Sequence, residues 1–191
     1  MATIVGIAGS LRKSSYNAAL LRAAAELVPA PGRIEIASVA GIPLYDGDAE
    51  SERGLPEAVA ALKERIAAAD GLLLATPEYN HSLPGVLKNA FDWLSRPPKD
   101  VPRVFGDKPV AVIGATTGPG GTRLAQAAWL PVLRALGTRP WFGRQLYVAS
   151  AAQVFDADGR LADEKVEKLL SDFVSGFAAF AASAGRRDGA G

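Results

Sequence analysis

The sequence predicts an α/β fold: a doubly wound parallel sheet of five strands with helices on both faces. Three observations carry that prediction. Short apolar runs alternate with helical patterns along the chain. The runs at residues 3–8, 71–76 and 109–115 are apolar almost throughout, as strands covered on both faces are. A polar loop follows each of these three runs, and right-handed crossovers bring such loops to one edge of the sheet, where ligands bind.

The elements follow in order. Residues 3–8 form the first strand, a polar loop spans 9–17, and a helix takes up 18–28. Pro29, Pro31 and Gly32 separate that helix from a strand at 33–39, because proline and glycine interrupt regular structure. Residues 41–54 read as a long polar loop whose acidic run has no evident ligand. Pro56 suits the first turn of a helix over 55–69, with Val59, Leu62 and Ile66 at helical spacing. The strand at 71–76 leads to a loop at 77–83, and Pro84 opens a helix to Ser95. A proline-rich connection then spans 96–107. The strand at 109–115 is followed by a loop and by a helix over 122–136, bent at Pro131. Residues 138–142 and 145–149 read as a fifth strand interrupted at Gly143. The closing helix covers 161–182 and turns Val166, Leu169, Leu170, Phe173 and Phe177 to one side. One domain over residues 1–184 and a disordered tail at 185–191 are expected, with no internal repeat.

Composition narrows the function. The chain of 191 residues can bury a proper core. It has no cysteine, which removes disulfides, thiolate nucleophiles and iron–sulfur clusters. No apolar run reaches the ~18 residues of a membrane helix, and no signal peptide is visible, so a cytoplasmic location is expected. The net charge of +1 leaves no basic stripe for a nucleic acid.

The loop after the first strand is Gly9-Ser10-Leu11-Arg12-Lys13-Ser14-Ser15-Tyr16-Asn17. It sets hydroxyls, an amide and a guanidinium beside the unpaired amides of a helix start, where an anion is favoured. No G-x-x-x-x-G-K-[ST] phosphate loop exists, and Gly6 and Gly9 lack the G-x-G-x-x-G dinucleotide fingerprint. What remains is a loop that grips a phosphate with side chains, Arg12 giving charge and a planar fork. The alternative is a plain helix N-cap cluster of Ser and Asn. The two later loops carry Pro77-Glu78-Tyr79-Asn80 and Thr116-Thr117-Gly118 on the same edge. Tyr79 offers a flat surface, Asn80 hydrogen bonds, and Gly118 close backbone approach.

Gly9-Ser10-Leu11-Arg12 with Ser15 and Asn17, followed by Pro77-Glu78-Tyr79-Asn80 and Ser82-x-Pro84-Gly85-x-Leu87-Lys88-Asn89-Ala90-x-Asp92-Trp93, resembles the NADPH-dependent FMN reductase family, and within it the soluble quinone and chromate reductases. The resemblance implies a flavodoxin-like sheet of order 2-1-3-4-5. It implies FMN as cofactor, with its phosphate among Ser10, Arg12, Ser15, Tyr16 and Asn17. Pro77, Glu78, Tyr79 and Asn80 then line the flavin ring, and Thr116, Thr117 and Gly118 close its other edge. NADPH or NADH delivers hydride, and a small-molecule acceptor (a quinone, free flavin, azo compound or metal oxyanion such as chromate) takes it in a ping-pong cycle. A homodimer or homotetramer is also implied. A flavodoxin-like electron carrier and a non-flavin phosphate binder are the competing classes; the near-neutral charge argues against the carrier's acidic docking surface. No residue is assigned as a catalytic acid or nucleophile. His81 is expected to be a partly exposed loop residue, and Glu78 a partner for an arginine, Arg123 or one from another subunit. Lys88, Asn89 and Asp92 are expected to cap or to contact a second subunit. The apolar stripe of Val86, Leu87, Ala90, Phe91 and Leu94 faces either the sheet or a partner.

Overall fold

Strand β1 (Thr3–Ala8) is central, with β2 (Arg33–Ala37) on one side and β3 (Gly71–Ala75) on the other. Strand β4 (Pro109–Ala115) pairs with β3, and two short strands, β5 (Arg139–Pro140) and β6 (Tyr147–Val148), both pair with β4. Every pairing is parallel and the order is β2-β1-β3-β4-β5, the order expected. The computed structural model describes residues 2–184, so the tail at 185–191 lies outside the described residues.

Side chains alternate across the pleat, so β1 sends Ile4 to one face and Val5 and Ile7 to the other. Helices α1 (Tyr16–Leu27) and α8 (Glu164–Ala184) cover the Ile4 face. Helices α3 (Glu57–Ala68), α4 (Gly85–Leu94) and α6 (Arg123–Ala135) cover the other with Val59, Leu62, Ile66, Leu87, Phe91, Trp129 and Leu133. The stripe on α4 is therefore sheet-facing: Leu87, Ala90, Phe91 and Leu94 are buried within this one chain, as is Trp93. Among the described residues no helix is long and apolar enough to cross a membrane.

Several elements depart from expectation. Residues 47–53 are not loop but helix α2 (Gly47–Arg53): Asp46 caps it through its Asp48 and Ala49 amides, and Gly54 ends it at φ 72°. This segment is a strap fastened along α4. Pro43 O accepts from Asn89 Nδ2 and Trp93 Nε1, and Tyr45 N donates to Asn89 Oδ1. Tyr45 Oη and Arg96 Nε both donate to Glu50 Oε2, at 2.9 Å each. Asn89 thus holds the strap, and Lys88 pairs with Asp92 one turn away. The connection at 96–107 contains a 3-10 turn (Pro98–Asp100) and helix α5 (Val101–Phe105). Lys63, on the inner side of α3, is buried and donates to Asp100 Oδ2 at 2.7 Å and to Arg96 O.

Strand β2 stops at Ala37, where Ser38 turns its hydroxyl back to accept from the Ala40 amide. Pro131 does not end α6; it and Ala127, whose carbonyl it deprives of a donor, are both exposed, so water can satisfy that carbonyl. The fifth strand is reduced to β5 and β6 because 141–146 leave the sheet. Helix α8 begins at Glu164, three residues later than expected, and Leu169 is 44% exposed, off the stripe of Leu170, Phe173, Val174 and Phe177. Helix α7 (Ala151–Val154) is an unforeseen turn after β6.

Candidate active site

Three strand-end loops converge at the carboxyl edge of the sheet. The first is pulled across its neighbour by Gly9, whose amide donates to Ala75 O at 2.8 Å. A Cβ on Gly9 would lie 2.9 Å from Pro77 Cδ and 3.0 Å from Leu87 Cδ2 and Pro84 Cγ. Only a residue without a side chain lets the first and second loops touch here.

Ser15 is the N-cap of α1, extended at φ −74° and ψ 120°, and its Oγ accepts from the Ala18 amide at 3.2 Å. The Tyr16 and Asn17 amides, at the first two helical positions, have no acceptor among the described residues, so the helix start presents bare N–H groups and positive dipole. Ser10 is half-buried and Arg12 is exposed beside them. No acidic side chain occupies the first turn. This donor set fits a dianionic phosphate: amides, hydroxyls and one guanidinium, with no competing carboxylate.

Two residues of that loop serve differently from expectation. The Asn17 side chain is buried; its Nδ2 donates to Ala115 O at 2.8 Å and its Oδ1 accepts from Ala115 N at 2.9 Å. It stitches α1 to the end of β4, so its contribution to an anion is its backbone amide. The Tyr16 ring stacks on Phe155 at 5.7 Å and 29°, so it too offers backbone.

The second loop is a miniature hairpin. Tyr79 and Ser82 exchange both backbone hydrogen bonds at 3.0 Å, and Asn80 and His81 between them have φ of 50° and 60°. Two consecutive left-handed residues are what a type I′ turn demands. Asparagine tolerates this conformation better than most residues with a Cβ. Tyr79 is 45% exposed.

The third loop is set by a second close approach. A Cβ on Gly114 would stand 2.2 Å from both Thr122 Oγ1 and Thr76 O, so that position must lack a side chain for the loop to fold over the strand end. Thr122 is buried, and its Oγ1 accepts from Gln126 Nε2 at 3.1 Å. The Thr116–Gly118 segment is pinned to the chain after β6, by Thr116 N to Val148 O, Ala151 N to Thr116 O and Ser150 N to Gly118 O. Thr117 stands at its exposed crest.

Glu78 joins the second and third loops. Its Oε2 accepts from the Leu124 and Ala125 amides at 2.9 and 3.1 Å, replacing the side-chain cap that Thr122 does not provide. Glu78 therefore answers a helix N-terminus and not Arg123, which lies instead over the Tyr147 ring at 5.3 Å. Sequence reasoning missed both this cap and the Asn17–Ala115 stitch. One signal existed: the first turn of α6 carries no acid of its own.

The comparisons with known proteins bear on what this edge does. The profile of the NADPH-dependent FMN reductases matches residues 2–153. The chain belongs to the NADPH-dependent FMN reductase family. An NAD(P)H-dependent FMN reductase of Pseudomonas aeruginosa is 47% identical over 167 residues, covering 87% of this chain and 88% of that protein. A 2-hydroxy-1,4-benzoquinone reductase of a Burkholderia species is 40% identical over 177 residues, covering 93% and 94%. The solved structure of FerB, a flavoenzyme NAD(P)H:(acceptor) oxidoreductase from Paracoccus denitrificans, superposes with a TM-score of 0.85 at 36% identity, covering 96% of this chain and 98% of that one. The fold of FerB is thus shared over the three loops and beyond them into α8.

Proposed function

We propose that this protein is an FMN-dependent NAD(P)H oxidoreductase that reduces quinones. The observation that carries the reading is the bare helix start at Ser15, Tyr16 and Asn17, set among three converging loops in a chain of the FMN reductase family. Ser10, Arg12, Ser15 and the Tyr16 and Asn17 amides hold the FMN phosphate. Pro77, Glu78, Tyr79 and Asn80 line one side of the ring, and Thr116, Thr117 and Gly118 the other. Bound there, FMN would supply the redox chemistry: hydride uptake from the nicotinamide and delivery of the electron pair to the acceptor.

The chain's own residues bind and orient. Arg12 neutralises phosphate charge in a site otherwise built of neutral donors. Glu78, capping α6 from the second loop, keeps the two ring-facing loops at a fixed separation. Tyr79 gives an exposed aromatic surface for a planar acceptor. Quinones are favoured because named relatives act on them; free flavin, azo compounds and chromate are further acceptors of the same open edge. The exposed Leu124, Leu130 and Phe142 support a homodimer or homotetramer, and a chain without cysteine suits the cytoplasm.

The test is an anaerobic titration of the purified protein reconstituted with FMN. NADPH or NADH bleaches the flavin absorbance, and 1,4-benzoquinone restores it with one equivalent per flavin. A protein that retains no FMN, or holds it without bleaching by either nicotinamide, refutes the reading.

A further inference from the structure

His81 is the single histidine of the chain. It occupies the second left-handed position of the Asn80-His81 turn, at φ 60°, where side chains with a Cβ are seldom found. Its Nδ1 lies 3.6 Å from Glu78 Oε1, while the other oxygen of Glu78 is fixed by the Leu124 and Ala125 amides. Glu78 is nearly buried, at 16% side-chain exposure, whereas His81 is 84% exposed. The imidazole therefore has one carboxylate oxygen nearby on one side and is open on the other. Its Nε2 has no hydrogen-bond partner among the described residues, and the exposed Tyr79 ring belongs to the same hairpin.

We propose that His81 is the proton donor to the quinone during its reduction, with Glu78 as the positioning residue that orients the ring; this rests on the function proposed above. The chemistry consumes a proton that a side chain can deliver. A quinone that receives a hydride gains two electrons and one proton: one oxygen becomes O–H and the other is left as an anion. The proton that completes the hydroquinone comes from Nε2, breaking N–H and forming O–H. The hydride would come from bound reduced flavin, and the open imidazole takes a replacement proton from water. Histidine is the side chain suited to this exchange near neutral pH. His81 and Tyr79 share one short hairpin, so an acceptor stacked on Tyr79 would lie beside the turn that carries His81.

The experiment compares acceptors that differ in their need for a proton. His81→Asn keeps the turn, because asparagine accepts the left-handed conformation. Stopped-flow reoxidation of the NADPH-reduced holoenzyme by 1,4-benzoquinone is expected to slow at least fivefold in the variant. Reoxidation by ferricyanide, which takes electrons and no proton, keeps its rate. Glu78→Gln moves the quinone-to-ferricyanide ratio in the same direction by less. A second readout needs no turnover: with one histidine, the imidazole signals of the oxidised, nitrogen-15-labelled holoprotein belong to His81, and added 1,4-hydroquinone shifts the Nε2 resonance. Equal effects on the two acceptors, no effect on either, or an Nε2 signal unmoved by hydroquinone overturn the assignment alone. Wild-type protein that neither nicotinamide can bleach overturns the proposed function and this assignment with it.

Discussion

Two surface segments of this protein look alike in sequence and differ in how they spend their polar groups. The strap at 41–54 and the three-loop edge are both polar, both rich in turn formers and both flank β1 or its neighbours. The strap consumes what it carries. Pro43 O takes two donors, Tyr45 uses its amide and its hydroxyl, and Glu50 binds Tyr45 and Arg96 on one oxygen. At the edge, the Tyr16 and Asn17 amides, Arg12 and His81 Nε2 have no such partners among the described residues, and the backbone holds two non-glycine residues at positive φ. Polar groups that a fold leaves unsatisfied at a converging edge are reserved for a ligand; those it satisfies internally are structure. The difference predicts that edge substitutions act on FMN affinity and strap substitutions on stability alone.

The largest effect tests the frame that holds the edge together. Gly114→Ala drives a Cβ against backbone at Thr76 O and against Thr122, and neither can retreat without opening the sheet end. The expected cost is about 3 kcal/mol, read as a fall in the melting temperature of the apoprotein together with loss of bound FMN. Retention of FMN at wild-type affinity would show that the third loop does not depend on this packing.

Arg12→Ala separates the two regions more cleanly. Arg12 is exposed and its guanidinium makes no hydrogen bond or ion pair among the described residues, so the apoprotein should melt as the wild type does. FMN affinity, followed by quenching of flavin fluorescence, should fall roughly tenfold or more, because a charge-assisted bond to phosphate contributes about 1.5–3 kcal/mol. A Kd unchanged within twofold would remove Arg12 from the phosphate site.

Glu78 lies between the two classes, since it is satisfied internally and yet faces the edge. Glu78→Ala removes the acceptor for two α6 amides and should destabilise the apoprotein by about 1 kcal/mol, the usual effect of losing an N-cap. It should also weaken FMN by a few-fold through the altered loop spacing. Glu78→Gln, which keeps an oxygen at the cap, should recover most of the melting temperature. If the two variants melt alike, the cap is not what Glu78 contributes.

How far the sequence could be read follows the same division. The parallel sheet was legible because its apolar strands are continuous and its breakers local; β4 was read at its observed bounds. The first loop was legible because Gly9, Ser15 and the helix start lie within a few residues of one another. What escaped depends on partners far along the chain. Asn17 meets Ala115, Glu78 meets Leu124, and Glu50 meets Arg96. Without those partners in view, Asn17 reads as a phosphate ligand, Glu78 as half of an ion pair and the strap as loop. The strap helix had a local signal in Asp46 and Gly54, but so short a polar helix gains its stability from Arg96, Asn89 and Trp93, which lie elsewhere.

The smallest expected effect belongs to the strap and to the Lys63–Asp100 pair that backs it through Arg96, and is read by pH. Burial pushes the Glu50 carboxyl up, but the hydrogen bonds from Arg96 and Tyr45 outweigh it and hold the group below its ordinary value. The Lys63 hydrogen bond holds Asp100 below its ordinary value as well. Carboxylates lowered on folding add stability at pH values above their unfolded range, and that stability is lost as pH falls through the lowered folded values. The apoprotein's melting temperature should therefore be flat near neutral pH and decline as pH falls below about 4.5. Lys63→Met should lower the neutral plateau and flatten the decline, since Asp100 loses the partner that favours its charge, while FMN affinity at neutral pH stays within twofold of wild type. An acid slope that survives Lys63→Met unchanged would assign the lability to other carboxylates. A matching loss of FMN affinity would mean that the strap and the edge are coupled and that the division between them is wrong.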